Sequence, residues 1–263
     1  MPMPNGTYSR VMIDCGHNIR VGQRWYPGER LAEAGVNHVD LLVITNYDDD
    51  HASGFPDLLK HGITFGCLLG NPSVPPETIA HLKTDDGMGP GISAVATALA
   101  LRRQRDWVET VPHNIPNVEM AWTWNVYPAF TDENNLSLVF VLAIHGYVFM
   151  FPGDLERAGW KFMLEKSEQL RRHVKIVDVL IAAHHGRDNG IYEELFTTYN
   201  CKPKLVVISD DYKQYDTQNT TNFYGSKVSG IGPFRNEARR RVLTTRKDGH
   251  LSFMFKDGGC NVV

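Results

Sequence analysis

The sequence predicts an α/β fold, an α+β arrangement of alternating short strands and helices, and three observations predict it. Apolar runs rich in Val, Ile, Leu and Phe, too short for helices, recur between segments whose apolar residues repeat at helical spacing. Three of these runs, residues 41–44, Tyr147–Phe151 and 177–183, are followed within a few residues by aspartate or histidine, which is how α/β proteins present ligands beyond the carboxyl ends of strands. Composition agrees: 42% hydrophobic and 22% charged residues in a chain of 263 are ordinary for a globular protein. A single domain over residues 1–263 is expected.

Residues 11–14 and 41–44 read as strands, with a loop over 16–30 and a short helix at 31–34 between them. Residues 55–61 start a helix and Thr64–Leu69 is the next strand. The stretch 71–90 is rich in Pro, Gly and Asp and reads as a loop carrying a short helix at 76–83. Ala and Leu at helical spacing make 92–107 the clearest helix of the first half. Residues 122–127 form a strand, and Leu138–Ile144 and Tyr147–Phe151 a hairpin about His145-Gly146. Then follow a helix over 155–173, a strand at 177–183, a helix at 191–199 and a strand at 205–209. Residues 241–245 and 251–255 flank Lys247-Asp248-Gly249 as a terminal hairpin.

Chemistry concentrates after the second strand. Residues 45–54 read TNYDDDHASG and place Asp48, Asp49, Asp50 and His51 in one strand-to-helix turn. Carboxylate and imidazole are metal ligands and acid/base groups; an acidic turn that caps the next helix is the alternative. Tyr147–Phe151 runs into Pro152-Gly153-Asp154, and 177–183 into His184-His185-Gly186. Strands that deliver Asp or His at the same end are able to converge on one metal site.

These residues resemble the metallo-β-lactamase fold hydrolases, whose first metal motif reads T-H-x-H-x-D-H-x-x-G. Thr45, Asp50, His51 and Gly54 keep that frame, while Asn46 and Asp48 stand where the two leading histidines belong. Within the superfamily the chain is similar to the ComEC-like hydrolase domain of DNA-uptake proteins. That likeness rests on 11–16 (VMIDCG), 31–40 (LAEAGVNHVD), 134–139 (NNLSLV), 151–156 (FPGDLE) and 183–186 (AHHG), in the expected order over most of 8–210. It implies a four-layer αββα sandwich of two mixed sheets, with one or two divalent ions at a sheet edge.

The resemblance assigns one ion to Asp50, His51, Asp154 and His185. The other has lost its usual ligands to Asn46 and Asp48, and the third histidine's neighbourhood reads Asn134, Asn135 and Ser137, as the N-N-x-S segment of ComEC-like domains does. A stable ion is expected at the first of these sets and a weak, harder or substrate-recruited ion at Asn46 and Asp48. Zinc or manganese is the expected metal, with magnesium a further option, because oxygen donors favour the harder ions. Asp50 and His184 are the expected catalytic residues. His185 is taken as the ligand and His184 as a supporting or phosphate-contacting residue, with the reverse assignment left open.

Such a site implies phosphodiester hydrolysis by a metal-activated water. Hydrolysis of a small ester, lactone or phosphorylcholine-like compound is an alternative, since one fold hosts many chemistries. A catalytically weak binding or regulatory relative is another, motivated by Asn46 and Asp48. The expected partners are a phosphodiester substrate, with DNA among the candidates, and a second copy of the chain in a homodimer. No membrane is expected: no apolar run approaches the roughly 18 to 20 residues that span a bilayer, and MPMPNGTYSR lacks the apolar centre of a signal peptide. The cytoplasm is the default compartment, and without a membrane-channel portion the chain is not expected to be a whole DNA-uptake protein.

A net charge of −3 and a pI near 6.4 argue against a strongly basic nucleic-acid surface. Local patches remain: Arg102, Arg103 and Arg105, and Arg235, Arg239, Arg240 and Arg241 with Arg246 and Lys247, read either as phosphate contacts or as solvated and helix-dipole partners. Cys15, Cys67, Cys201 and Cys260 form no C-x-x-C pair and read most simply as buried or free thiols, with a place near the site as the lesser alternative for Cys15 at its strand end. Asp210 or Asp211 either orients a ligand histidine or belongs to an acidic turn. Asp14 ends the first strand at an equivalent place, and Asn18 and Tyr224 are further candidates for an approach to substrate.

Overall fold

The computed structural model describes residues 8–19, 24–83, 87–104, 111–112, 115–210, 216–235, 237–256 and 258–263; Arg105, Trp107, His113 and Asp211 lie outside them. The chain divides into two compact units, Met1–Pro116 with Val126–Leu138, and Asn117–Asn125 with Val139–Val263. The α/β class expected from sequence is observed, with two main sheets.

In the first unit, β1 (Val11–Ile13), β2 (His38–Val43) and β3 (Thr64–Leu69) form a parallel sheet in the order β1-β2-β3. Ile13 pairs with Val43 and Val43 with Leu69, so all three strands end level. Leu41, Leu42, Val43 and Ile44 are at most 1% exposed, the uninterrupted apolar run of a central strand covered on both faces. Helices Pro27–Glu33, Phe55–Lys60 and Pro90–Gln104 contribute Leu31, Phe55, Leu58, Ile92 and Val95 to the same core. Burying each such side chain stabilises by about 1.5–3 kcal/mol. The first of these helices starts earlier than 31–34 because Pro27 suits its first position and Asp57 accepts the Gly28 and Glu29 N–H groups at 2.7 and 3.1 Å.

The second sheet is mixed and runs in the order β4 (Val118–Trp124), β5 (Leu138–Ile144), β6 (Tyr147–Phe151), β7 (Val179–Ile181), β8 (Leu205–Ile208) and β9 (Val242–Thr244). β5 and β6 form the expected hairpin, closed by His145 and Gly146 at φ 50° and 83°. From β6 to β9 the pairing is parallel. The expected helix over 155–173 is two, Arg157–Lys166 and Glu168–Val174. Ser167 breaks it by taking an extended conformation and capping the second helix, its Oγ accepting the Leu170 N–H at 3.1 Å.

The expected terminal hairpin is also corrected. β9 joins β8 rather than 251–255, and Lys247-Asp248 lies in a helical turn over Thr245–Asp248. Asp248 is buried and accepts from Thr244 N–H and from the Arg240 guanidinium, which holds the turn in place. The antiparallel pair is instead β10 (Phe253–Lys256) with β11 (Gly259–Val262). Among the described residues no helix is long and apolar enough to cross a membrane.

Candidate metal centre

β1 runs into Asp14, which adopts a left-handed φ of 58°, a region that short polar side chains reach more readily than most. Its carboxylate accepts the Thr45 N–H at 2.7 Å and the Thr45 hydroxyl at 2.6 Å, and it lies 2.9 Å from His51 Nδ1. A carboxylate at Nδ1 favours the tautomer that donates there and leaves the Nε2 lone pair for a cation. His51 is buried, and its Nε2 is 3.8 Å from Oδ1 of Asp50, whose side chain is 52% exposed.

The loop that carries both residues is braced by backbone. Cys15 N–H donates to the His51 carbonyl at 2.7 Å, and Gly54 N–H to the Cys15 carbonyl at 2.8 Å. The chains approach so closely that a Cβ on Gly16 would sit 1.8 Å from the Asp50 carbonyl oxygen, and one on Gly54 2.3 Å from that of Cys15. Burial, with Asp14 adding, pushes the Cys15 thiol well above its ordinary range, so Cys15 is a brace and not a nucleophile.

The other polar residues of the loop have protein partners. Asp49 accepts the Ile92 N–H at 3.0 Å, near the start of Pro90–Gln104. Asp48 caps its own helical turn through the Asp49 N–H at 2.7 Å and pairs with Lys83 Nζ at 3.0 Å. Lys83 also lies 3.5 Å from Glu133 Oε1. Asn46 donates to Asn134 Oδ1 at 3.1 Å. Nothing in the residue pattern singles out Lys83, which sits in the loop before the long helix.

In the second unit β6 delivers Asp154, 3% exposed, through Pro152 and Gly153. The segment after β7 coils tightly, with His184, His185 and Gly186 at φ 50°, 52° and 72°. Left-handed backbone at two successive histidines is uncommon and concentrates at functional sites. It sets His184 Nε2 3.7 Å and His185 Nε2 3.6 Å from Asp154 Oδ2. His185 Nδ1 donates to the Ser209 carbonyl at 2.8 Å, so its tautomer too presents Nε2. His184 is more enclosed: Arg187 lies 2.9 Å from its Nε2, and Glu156 Oε1 3.4 Å from its Nδ1.

The Asp210 carboxylate pairs with Arg246. The carbonyl of its neighbour Ser209 meets His185 Nδ1, a backbone contact that no side-chain motif announces. Of the C-terminal arginines, buried Arg240 forks onto Asp248 and Arg235 donates to the Asp248 carbonyl at 2.5 Å, while Arg239 and Arg241 are exposed. Arg102 donates to the Phe65 carbonyl at 3.1 Å. Tyr224 is 2% exposed within the second unit's core, and Asn18 pairs by backbone with Trp25.

No family model matches the chain. It is 22% identical over 261 residues, 94% of its length, to ComE operon protein 3 of Bacillus subtilis (strain 168). It is 25% identical over 182 residues, 64% of its length, to Ribonuclease Z of Agathobacter rectalis. Both are metallo-β-lactamase-fold proteins. Their similarity supports that superfamily for this chain, which spans 30% and 50% of their respective lengths.

Proposed function

We propose that the chain is a divalent-metal-dependent hydrolase of the metallo-β-lactamase fold that cleaves phosphodiester bonds. Asp50, His51, Asp154 and His185 supply two carboxylates and two imidazoles, a donor set that suits zinc or manganese. The observation that carries the proposal is the Asp14–His51 contact at 2.9 Å, a carboxylate aimed at the ring nitrogen opposite the one offered to an ion. The Ser209–His185 contact repeats the device in the second unit.

When bound, the ion lowers the pKa of a water and offsets charge on a phosphoryl oxygen. The chain's own groups do the rest. Asp50, the most exposed of the four carboxylates and imidazoles, is placed to take a proton from the attacking water as well as to ligate. Asp14 and the Ser209 carbonyl hold the two rings in position. His184, enclosed by Arg187 and Glu156, acts as a positioning residue for the Asp154–His185 segment. The name of one relative, Ribonuclease Z, favours a polynucleotide over a small ester.

The test is metal analysis followed by turnover of single-stranded DNA, RNA and a small carboxylic ester with Mn²⁺, Mg²⁺ and Zn²⁺. Nucleic-acid cleavage that is lost in Asp50→Ala and His51→Ala is the expected result. No bound metal under any of these conditions would sink the metallohydrolase reading, and ester turnover alone would move the substrate to the small-molecule class.

A further inference from the structure

The chemistry above leaves one buried charge beside the metal loop without a role. Lys83 follows the helical turn Ile79–Leu82, and its side chain is only 3% exposed. Lysine is rarely buried to this degree, and stays charged there only when it is paired. Its ammonium lies 3.0 Å from Asp48 Oδ1 and 3.5 Å from Glu133 Oε1. Asp48 comes from the metal loop, and Glu133 directly precedes Asn134, the partner of Asn46. Asn46 Oδ1 is itself buried without a hydrogen-bond partner.

Two carboxylates and a buried amide oxygen are donors of the kind a hard divalent ion uses. Here the cation among the carboxylates is an ammonium. A divalent ion drawing on Asp48 would sit against that positive charge, or would strip a buried lysine of its nearest anion, and both are unfavourable at low dielectric.

We propose that Lys83 is the resident cation of this donor group and stands in for a second divalent ion, so that the chain binds one ion, the smaller of the two numbers expected. The proposal rests on the metallohydrolase reading above. It replaces a recruited ion at Asn46 and Asp48 with a covalently attached charge that is present at any metal concentration and that a chelator cannot remove. Lys83 is thus a positioning residue, holding Asp48 and Glu133 apart from the metal chemistry of Asp50 and His51.

Metal content measured by mass spectrometry after equilibration with excess Mn²⁺ tests this, with folding checked by circular dichroism. The wild type is expected to hold about one ion per chain, and Asp48→Asn to remain at about one. Lys83→Ala, which frees both carboxylates, is expected to rise toward about two, with the added ion the first lost to a chelator. A wild type at about two that falls to about one in Asp48→Asn overturns the proposal, as does a folded Lys83→Ala that stays at about one. A wild type without metal overturns the underlying reading along with it. Should Lys83→Ala not fold, the wild-type and Asp48→Asn counts decide.

Discussion

Asp14 acts through His51 rather than on a substrate. Its Oδ2 receives the Thr45 hydroxyl and faces Nδ1 of the ring, so both partners donate to one carboxylate oxygen. In Asp14→Asn an amide N–H₂ placed there would face those donors and favour the opposite tautomer, with the proton on Nε2. Metal affinity is expected to fall about 10- to 100-fold with little change in fold. Competition with a fluorescent chelator reads this directly, and an affinity within about twofold of wild type would remove Asp14 from the site's support. Legibility at this scale was uneven. Asp50, His51, Asp154 and His185 are named by residue type at strand ends, because ligand chemistry needs specific side chains. The Lys83 pair with Asp48 spans 35 residues and the Ser209 carbonyl contact 24, and no local pattern records either.

Elements hold the metal loop by backbone, and glycine is what lets them do so. The turn at Gly16 passes so close to the Asp50 carbonyl that Gly16→Ala forces the two segments apart. A loss of roughly 1–3 kcal/mol is expected from such overpacking, measured as a lower urea midpoint at unchanged slope. Gly232→Ala is the control, since a Cβ there meets nothing within 4 Å, and it should stay within about 0.5 kcal/mol. Equal midpoints for the two variants would contradict the close-approach argument. The same scale explains where element prediction erred. The helical period continues across Ser167, yet its hydroxyl gains more as a cap than as an interior residue. Lys247-Asp248-Gly249 resembles a hairpin turn until the remote Arg240 fastens Asp248 inward.

For the molecule as a whole, an ion bound only by the native state adds its binding free energy to stability. Chelation should therefore lower the melting temperature of metal-loaded protein, by about 2.7 kcal/mol of stability if the free ion stands at 100 times its dissociation constant. Differential scanning calorimetry with and without chelator checks this, and His51→Ala should show a much smaller difference. No chelator effect in the metal-loaded wild type would show that the ion is not coupled to folding. The charge balance belongs to this scale as well. Of the C-terminal basic cluster, Arg240 and Arg246 are paired with Glu237, Asp248 and Asp210 within the second unit, while Arg239, Arg241 and Lys247 are exposed.

By itself the sequence determined the α/β class, the principal strands from β1 to β8 and the side chains able to bind metal. Those follow from hydrophobic period and from residue chemistry, both local properties. Tertiary structure alone decided which residues support the candidate ligands. Asp14 meets His51, Ser209 meets His185 and Lys83 meets Asp48 only after strands and helices have packed. Hydrogen bonds and ion pairs of long sequence separation are selected by that packing, with no periodic trace left in the chain.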